Sequence, residues 1–158
     1  FHELPVEREV DQVRLNVEAV VDLCGAFVPG MVERGYGKVL NVSSVSGFMP
    51  VPKQATYSAS KAFVLTFTEA LKLDLHGTGV TATALCPGPV KTEFDGIISG
   101  LPDRLYVDAE DVAREAIKGL VGGDRTVVPG GGNKMNAVVG RYAPRPVFMA
   151  YARRFWPS

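Results

Sequence analysis

Cysteine, histidine and net charge are all scarce in this chain. Cys24 and Cys86 are its only cysteines. They sit in apolar surroundings without metal-ligand spacing, so no metal site is expected. They read as reduced core thiols of a cytoplasmic protein. Lysine plus arginine and aspartate plus glutamate stand at 17 each, a formal net charge of zero, which offers nucleic acid no electrostatic footprint. No uninterrupted apolar run reaches the roughly 18 residues of a transmembrane helix. The opening Phe1-His2-Glu3-Leu4-Pro5 has neither the basic start nor the apolar stretch of a secretory signal. What is present is ordinary for a globular chain: 46% hydrophobic and 22% charged residues over 158 positions, enough for one domain with a core. A native chain would begin with methionine, so Phe1, leading almost at once into a helix, is read as a cut.

The hydrophobic pattern alternates between helix and strand. Val10, Val13, Val17, Val20 and Val21 recur at helical spacing in a segment predicted to run from Val6 to Arg34, bent near its end by Pro29-Gly30. Gly35-Tyr36-Gly37 turns into a β-branched run, Lys38 to Ser43. A second helix is predicted from Ala55 to Leu75, ended by His76-Gly77-Thr78-Gly79, and a second strand from Val80 to Leu85. A loop over Val90 to Val107 leads to a third helix that Asp108 is expected to cap, with Glu110 and Asp111 in its first turn. Arg125 to Val128 make a third strand. This order predicts an α/β fold, a partial Rossmann-like, doubly wound parallel sheet of three strands joined by crossover helices. Three strands leave an open ladder that calls for a neighbour, such as preceding strands or a second chain.

Tyr57 and Lys61 stand four apart near a helix start and so share one face. An ammonium beside a phenol favours the phenolate, which a tyrosine needs in order to exchange protons near neutral pH. Ser44 lies thirteen residues earlier, at the C-terminal end of the first strand, and Pro87-Gly88 ends the second. Ligands of open α/β sheets bind outside such strand ends. Asn16 lies in the first long helix.

Four segments together carry a resemblance. Asn16-Val17, Asn41-Val42-Ser43-Ser44-Val45-Ser46-Gly47, Tyr57-Ser58-Ala59-Ser60-Lys61 and Pro87-Gly88-Pro89-Val90-Lys91-Thr92 resemble, in order and spacing, the motifs of classical short-chain dehydrogenases/reductases. The likeness is close from Leu4 to Phe94 and looser to about Val128. It implies an oxidoreductase that uses NAD or NADP to interconvert a carbonyl and an alcohol. It implies Tyr57 as general acid/base and also a cofactor contact, and Lys61 as the residue that holds the nicotinamide ribose and depresses the tyrosine pKa. Ser44 would be a hydrogen-bond donor to the reacting oxygen, and Asn16 the holder of a relay water. Pro87, Gly88, Val90 and Thr92 would seat the nicotinamide, Val90 through its backbone and Thr92 through its hydroxyl. Ser43 competes with Ser44 for its role, and the spacing to Tyr57 favours Ser44.

The chain departs from that family at its start, in lacking the usual asparagine-rich motif after the fourth strand, and in its tail. No glycine-rich strand-to-helix turn precedes Asn16, and Gly130-Gly131-Gly132, after the third strand, reads as a loop rather than a phosphate cradle. The isolated chain is therefore expected to lack a pyrophosphate site and to be inactive, with the full-length parent as the enzyme. Two other readings stand beside this one: a non-catalytic dimerisation module, and an epimerase or dehydratase of the extended branch. Residues 1–132 form the catalytic part in this reading, and 133–158 a tail expected to be helical. The tail carries Lys134, Arg141, Arg145, Arg153 and Arg154 and no acid, with Val147, Phe148, Tyr151 and Phe155 at helical spacing. Such a segment can pack over the substrate loop or a sister subunit, or touch an anionic membrane surface. Phe94, Ile97, Ile98 and Leu101 point to a small apolar substrate, and a homo-oligomer is expected.

Overall fold

Val80-Thr81-Ala82-Thr83-Ala84-Leu85 is built from small and β-branched residues, and all but Thr81 are buried, as a strand covered on both faces requires. In the computed structural model of the chain, which describes residues 1, 4–91 and 106–155, this strand is the centre of the sheet. In chain order the elements are α1 (Val6–Val13), a π turn (Arg14–Glu18), α2 (Ala19–Glu33), β1 (Gly37–Val42), a 3-10 turn (Val45–Phe48), α3 (Ala55–Asp74) and β2 (Val80–Leu85). There follow β3 (Val90–Lys91), β4 (Val107–Asp108), α4 (Ala109–Gly122), β5 (Thr126–Val127), α5 (Gly131–Tyr142) and α6 (Arg145–Phe155).

β1, β2 and β5 lie in that order and are all parallel, with Gly37 opposite Val80, Val42 opposite Leu85 and Leu85 opposite Val127. Val80 and Ala82 pack with Cys24 and Val28 of α2 and with Leu75, while Leu85 packs with Val112 and Ala116 of α4 and with Val127. Helices therefore cover both faces, as the predicted doubly wound α/β sheet requires. Each fully buried valine or leucine of these clusters contributes about 1.5–3 kcal/mol of transfer free energy. Among the described residues no strand pairs with the outer edge of β1, where Val42 is 50% exposed.

Several expectations are corrected. The first long helix widens into a π turn at Arg14–Glu18, which the sequence did not announce, and it continues through Pro29, which lies inside α2. Its 28 residues, Val6–Glu33, are also long and apolar enough by length and composition to cross a membrane. Glu18 and Asp22 broke the apolar run in the sequence without making the stretch polar. Here α2 packs on the sheet and buries Cys24 and Val28, α1 and the π turn lie against α3, and much of the segment's apolar surface faces outward. Asp108 holds the N-cap position of α4 but makes no capping bond; its carboxylate pairs with Lys91, 3.3 Å away across the β3–β4 ladder. The glycine cluster is not a loop: Gly130, at φ +83°, precedes α5, and Gly131 and Gly132 form its first turn.

The C-terminal helices are anchored from two sides. Ala137 of α5 packs with Phe48, Leu65, Ala84 and Cys86, and Phe148 and Ala152 of α6 are buried. Glu69 of α3 accepts from both Nη atoms of Arg141, at 3.1 and 3.4 Å, and lies 3.4 Å from Nε of Arg125. The side chains of Tyr151, Arg153 and Phe155 lie outside the described residues, as do residues 93–105 of the loop Glu93 to Tyr106 that was expected to cover a substrate.

Candidate active site

Two adjacent parallel strands that end level with each other bring their following loops together. The Ser43 N–H donates to Leu85 O at 2.7 Å, and the Val45 N–H to Pro87 O at 2.9 Å, so the segments after β1 and β2 are stitched side by side. The two serines at this point have different duties. Ser43 donates its hydroxyl to Lys61 O at 2.7 Å, which fastens β1 to the backbone of α3. Ser44 precedes the 3-10 turn; its Oγ accepts from the Ser46 N–H at 3.1 Å and donates to Pro87 O over a long 3.5 Å.

Helix α3 carries Tyr57 and Lys61 past these strand ends, one turn apart. The Lys61 ammonium lies 5.8 Å from the centre of the Tyr57 ring and donates to Val42 O at 3.0 Å. Burial lowers the pKa of Lys61 from its ordinary 10.5, against a smaller opposite pull from Cys86. The Cys86 thiol, at the end of β2, is itself pushed up to about 12 by burial, so it stays neutral at physiological pH. Because folded Lys61 releases its proton before the unfolded chain does, this group alone makes stability rise with pH between its lowered midpoint and 10.5. An NMR titration of the Lys61 side chain is expected to give a midpoint below 10.5. A midpoint at or above that value would mean that the ammonium is not buried as described.

Asn16 occupies the π turn, a one-residue widening of the helix that recurs at functional sites. Its Nδ2 donates to Ser60 Oγ at 3.1 Å, and Ser60 Oγ donates to Tyr57 O at 2.8 Å. Asn16 is thus coupled to the backbone of Tyr57 through Ser60. Ser60 belongs to the quoted Tyr57–Lys61 segment, and its position three residues after Tyr57 was the available signal for this link. Pro87 lies beside Ser44, and Gly88 follows it in the chain. Val90, in β3, pairs with Val107 and turns its side chain toward the cluster of Leu85, Val112 and Ala116. Thr92 lies outside the described residues. Asn133, which sequence reasoning missed, is buried against Gly88.

The donor set suits a nicotinamide nucleotide. An ammonium has three N–H donors, and Val42 O takes one of those on Lys61, leaving two for ribose hydroxyls. Pro87 and Gly88 follow the end of β2, and Ser44 follows the end of β1.

Residues 1–99 match the family model of the short chain dehydrogenases. The chain belongs to this family. It is 38% identical over 151 residues to an uncharacterized oxidoreductase of Myxococcus xanthus, a match that covers 96% of this chain and 59% of that protein. Among solved structures, a 7beta-hydroxysteroid dehydrogenase superposes with a TM-score of 0.82 at 25% identity, over 96% of this chain and 61% of that one. A short-chain dehydrogenase from Sphingobium yanoikuyae in complex with NADPH superposes with a TM-score of 0.76 at 27% identity, over 100% of this chain and 62% of that one. The chain therefore spans about three fifths of the length of these three proteins.

Proposed function

We propose that the full-length protein is an NAD(P)(H)-dependent oxidoreductase that interconverts a carbonyl and an alcohol, with Tyr57 as its general acid/base. The observation that carries this is the placement of Lys61: its half-buried ammonium lies over the Tyr57 ring and is tied to Val42 O, two residues before Ser44. When bound, the nicotinamide supplies or accepts the hydride. In reduction the Tyr57 hydroxyl gives its proton to the substrate oxygen, and in oxidation the phenolate takes it back. The Lys61 ammonium stabilises that phenolate and holds the ribose. Ser44 turns its weakly engaged hydroxyl from Pro87 O to the reacting oxygen, a preorganised donor where negative charge grows. Asn16, in its widened turn, holds the water through which Lys61 exchanges protons with solvent. The relative in complex with NADPH favours that cofactor, and the hydroxysteroid dehydrogenase favours a small apolar carbonyl or alcohol as substrate. Buried, unpaired Cys24 and Cys86 suit the reducing cytoplasm. Turnover belongs to the full-length protein, and the 158-residue chain alone is an inactive fragment in this reading.

The test is turnover by the full-length protein with NADPH and with NADH against a panel of apolar ketones, followed through cofactor absorbance. Consumption of cofactor with at least one ketone is expected. Failure to bind either nucleotide would sink the proposal.

A second reading, self-association, is favoured by the outward apolar side chains of the first helix, where Leu15 is 72% and Phe27 60% exposed. Sedimentation decides it: a clean monomer at micromolar concentration rejects it.

A further inference from the structure

Asn133 is 2% exposed and stands in the first turn of α5. The buried positions of this helix are Asn133, Ala137 and Gly140, one stripe at helical spacing. Ala137 packs with Phe48, Leu65, Ala84 and Cys86, so Asn133 is a polar residue at the head of an otherwise apolar or side-chain-free stripe. Its Nδ2 donates to Pro129 O at 3.1 Å; its Oδ1 is buried with no hydrogen-bond partner among the described residues. A buried acceptor left unpaired is costly, and a small apolar residue there would avoid the cost.

What the amide does instead is fill space above Gly88. A Cβ built on Gly88 would overlap Asn133, and its three nearest neighbours are the Oδ1, Cγ and Nδ2 of that one side chain. Gly88 sits in the loop at the end of β2, next to Pro87, whose carbonyl accepts from Ser44 Oγ and from the Val45 N–H. The amide is itself held in place. Gly130, at φ +83°, turns the chain straight from Pro129 into α5, and a Cβ there would meet Val107 Cγ2 at 2.9 Å. The end of β2, β4 and the head of α5 thus meet around one carboxamide and two glycines.

We propose that Asn133 is a positioning residue: its carboxamide, fixed by the bond to Pro129 O, sets the height at which the Gly88 backbone lies, and so how tightly the nicotinamide nucleotide seats. This rests on the proposed function, because it takes that nucleotide as the ligand of the loop. It assigns a role in cofactor affinity to the head of α5, a segment that the four motifs do not include.

The experiment uses the full-length protein and its NADPH dissociation constant, read by fluorescence titration, together with KM for NADPH, kcat and the thermal midpoint. Gly88→Ala is expected to weaken NADPH roughly 10- to 100-fold, as small misplacements near a site do. The pair Gly88→Ala with Asn133→Gly makes room for the new methyl and is expected to recover most of that loss, a non-additivity that only contacting residues show. Asn133→Leu keeps the branched four-atom outline but loses the bond to Pro129 O; it should raise KM for NADPH several-fold at a near-normal thermal midpoint. A side chain with no bearing on the height of the Gly88 backbone predicts no such rise. Normal NADPH binding in the unmutated protein combined with unchanged KM in Asn133→Leu overturns this inference alone. So does a double variant, stable to heat, that recovers nothing. No binding of NADPH or NADH by the unmutated protein overturns the proposed function and takes this inference with it.

Discussion

Replacing Tyr57 with phenylalanine is expected to lower kcat of the full-length protein by about 100- to 10,000-fold, the range that a positioned proton donor supplies. The substitution removes one oxygen and leaves the ring that lies under the Lys61 ammonium. The bond from Lys61 to Val42 O, and that from Ser60 to Tyr57 O, do not involve the phenol. The thermal midpoint and the dissociation constant for NADPH should therefore stay close to those of the unmutated protein. Loss in kcat at constant cofactor affinity is the signature of an interaction that matters in the transition state rather than in binding. Unchanged turnover would remove Tyr57 from the chemistry, and the proposed reaction with it. A fall in kcat together with a collapse of the thermal midpoint would instead make the hydroxyl a structural group.

The sheet could be read in the sequence where burial leaves a strong periodic trace. The strand Val80 to Leu85 and the helix from Ala55 were legible because buried strands and long helices repeat their chemistry at fixed intervals. The π turn at Arg14–Glu18 was not, since one extra residue per turn changes which atoms meet without demanding any residue type. The β3–β4 pair was hidden because two-residue strands are too short to show alternation. Asp108 looked like a cap by type and position, yet the ladder brought Lys91 within reach and its carboxylate went there.

The same contrast holds at the site. The nearness of Lys61 to Tyr57 was legible from their spacing of four on one helix, whereas the roles of Tyr57, Lys61 and Ser44 came only from the resemblance carried by the four motifs together. The bond from Asn16 to Ser60 spans 44 positions, and Asn133 meets Gly88 across 45, distances over which sequence spacing carries no information. Three glycines in a row read as a loop, but Gly130, at positive φ, served a different need, the close approach of the head of α5 to Val107 of β4, and the next two glycines are helical.

The opposite end of the sheet supplies the largest expected effect on stability. Gly77 and Gly79 both lie at φ +81° in the turn from α3 into β2, where a side chain costs about 1–2 kcal/mol whatever surrounds it. Their surroundings differ. A Cβ on Gly77 would meet nothing within 4 Å, whereas one on Gly79 would run into the carbonyl of Gly35, the residue at φ +69° that turns α2 into β1. That neighbour is backbone in a second tight turn, so it has little freedom to yield. Gly79→Ala should therefore pay the conformational cost and a further 1–3 kcal/mol or so of overpacking. Its total is about 3 kcal/mol, against roughly 1.5 for Gly77→Ala. At about 2–4 °C per kcal/mol, the thermal midpoint should fall by about 6–12 °C for Gly79→Ala and about 3–6 °C for Gly77→Ala. Both turns precede the strands whose far ends carry Ser44 and Pro87, so kcat measured well below either midpoint should be unchanged in both variants. Equal losses of stability from the two substitutions would mean that the Gly35–Gly79 approach is looser in solution than described. A loss of kcat at low temperature would mean that the two ends of the sheet are mechanically coupled.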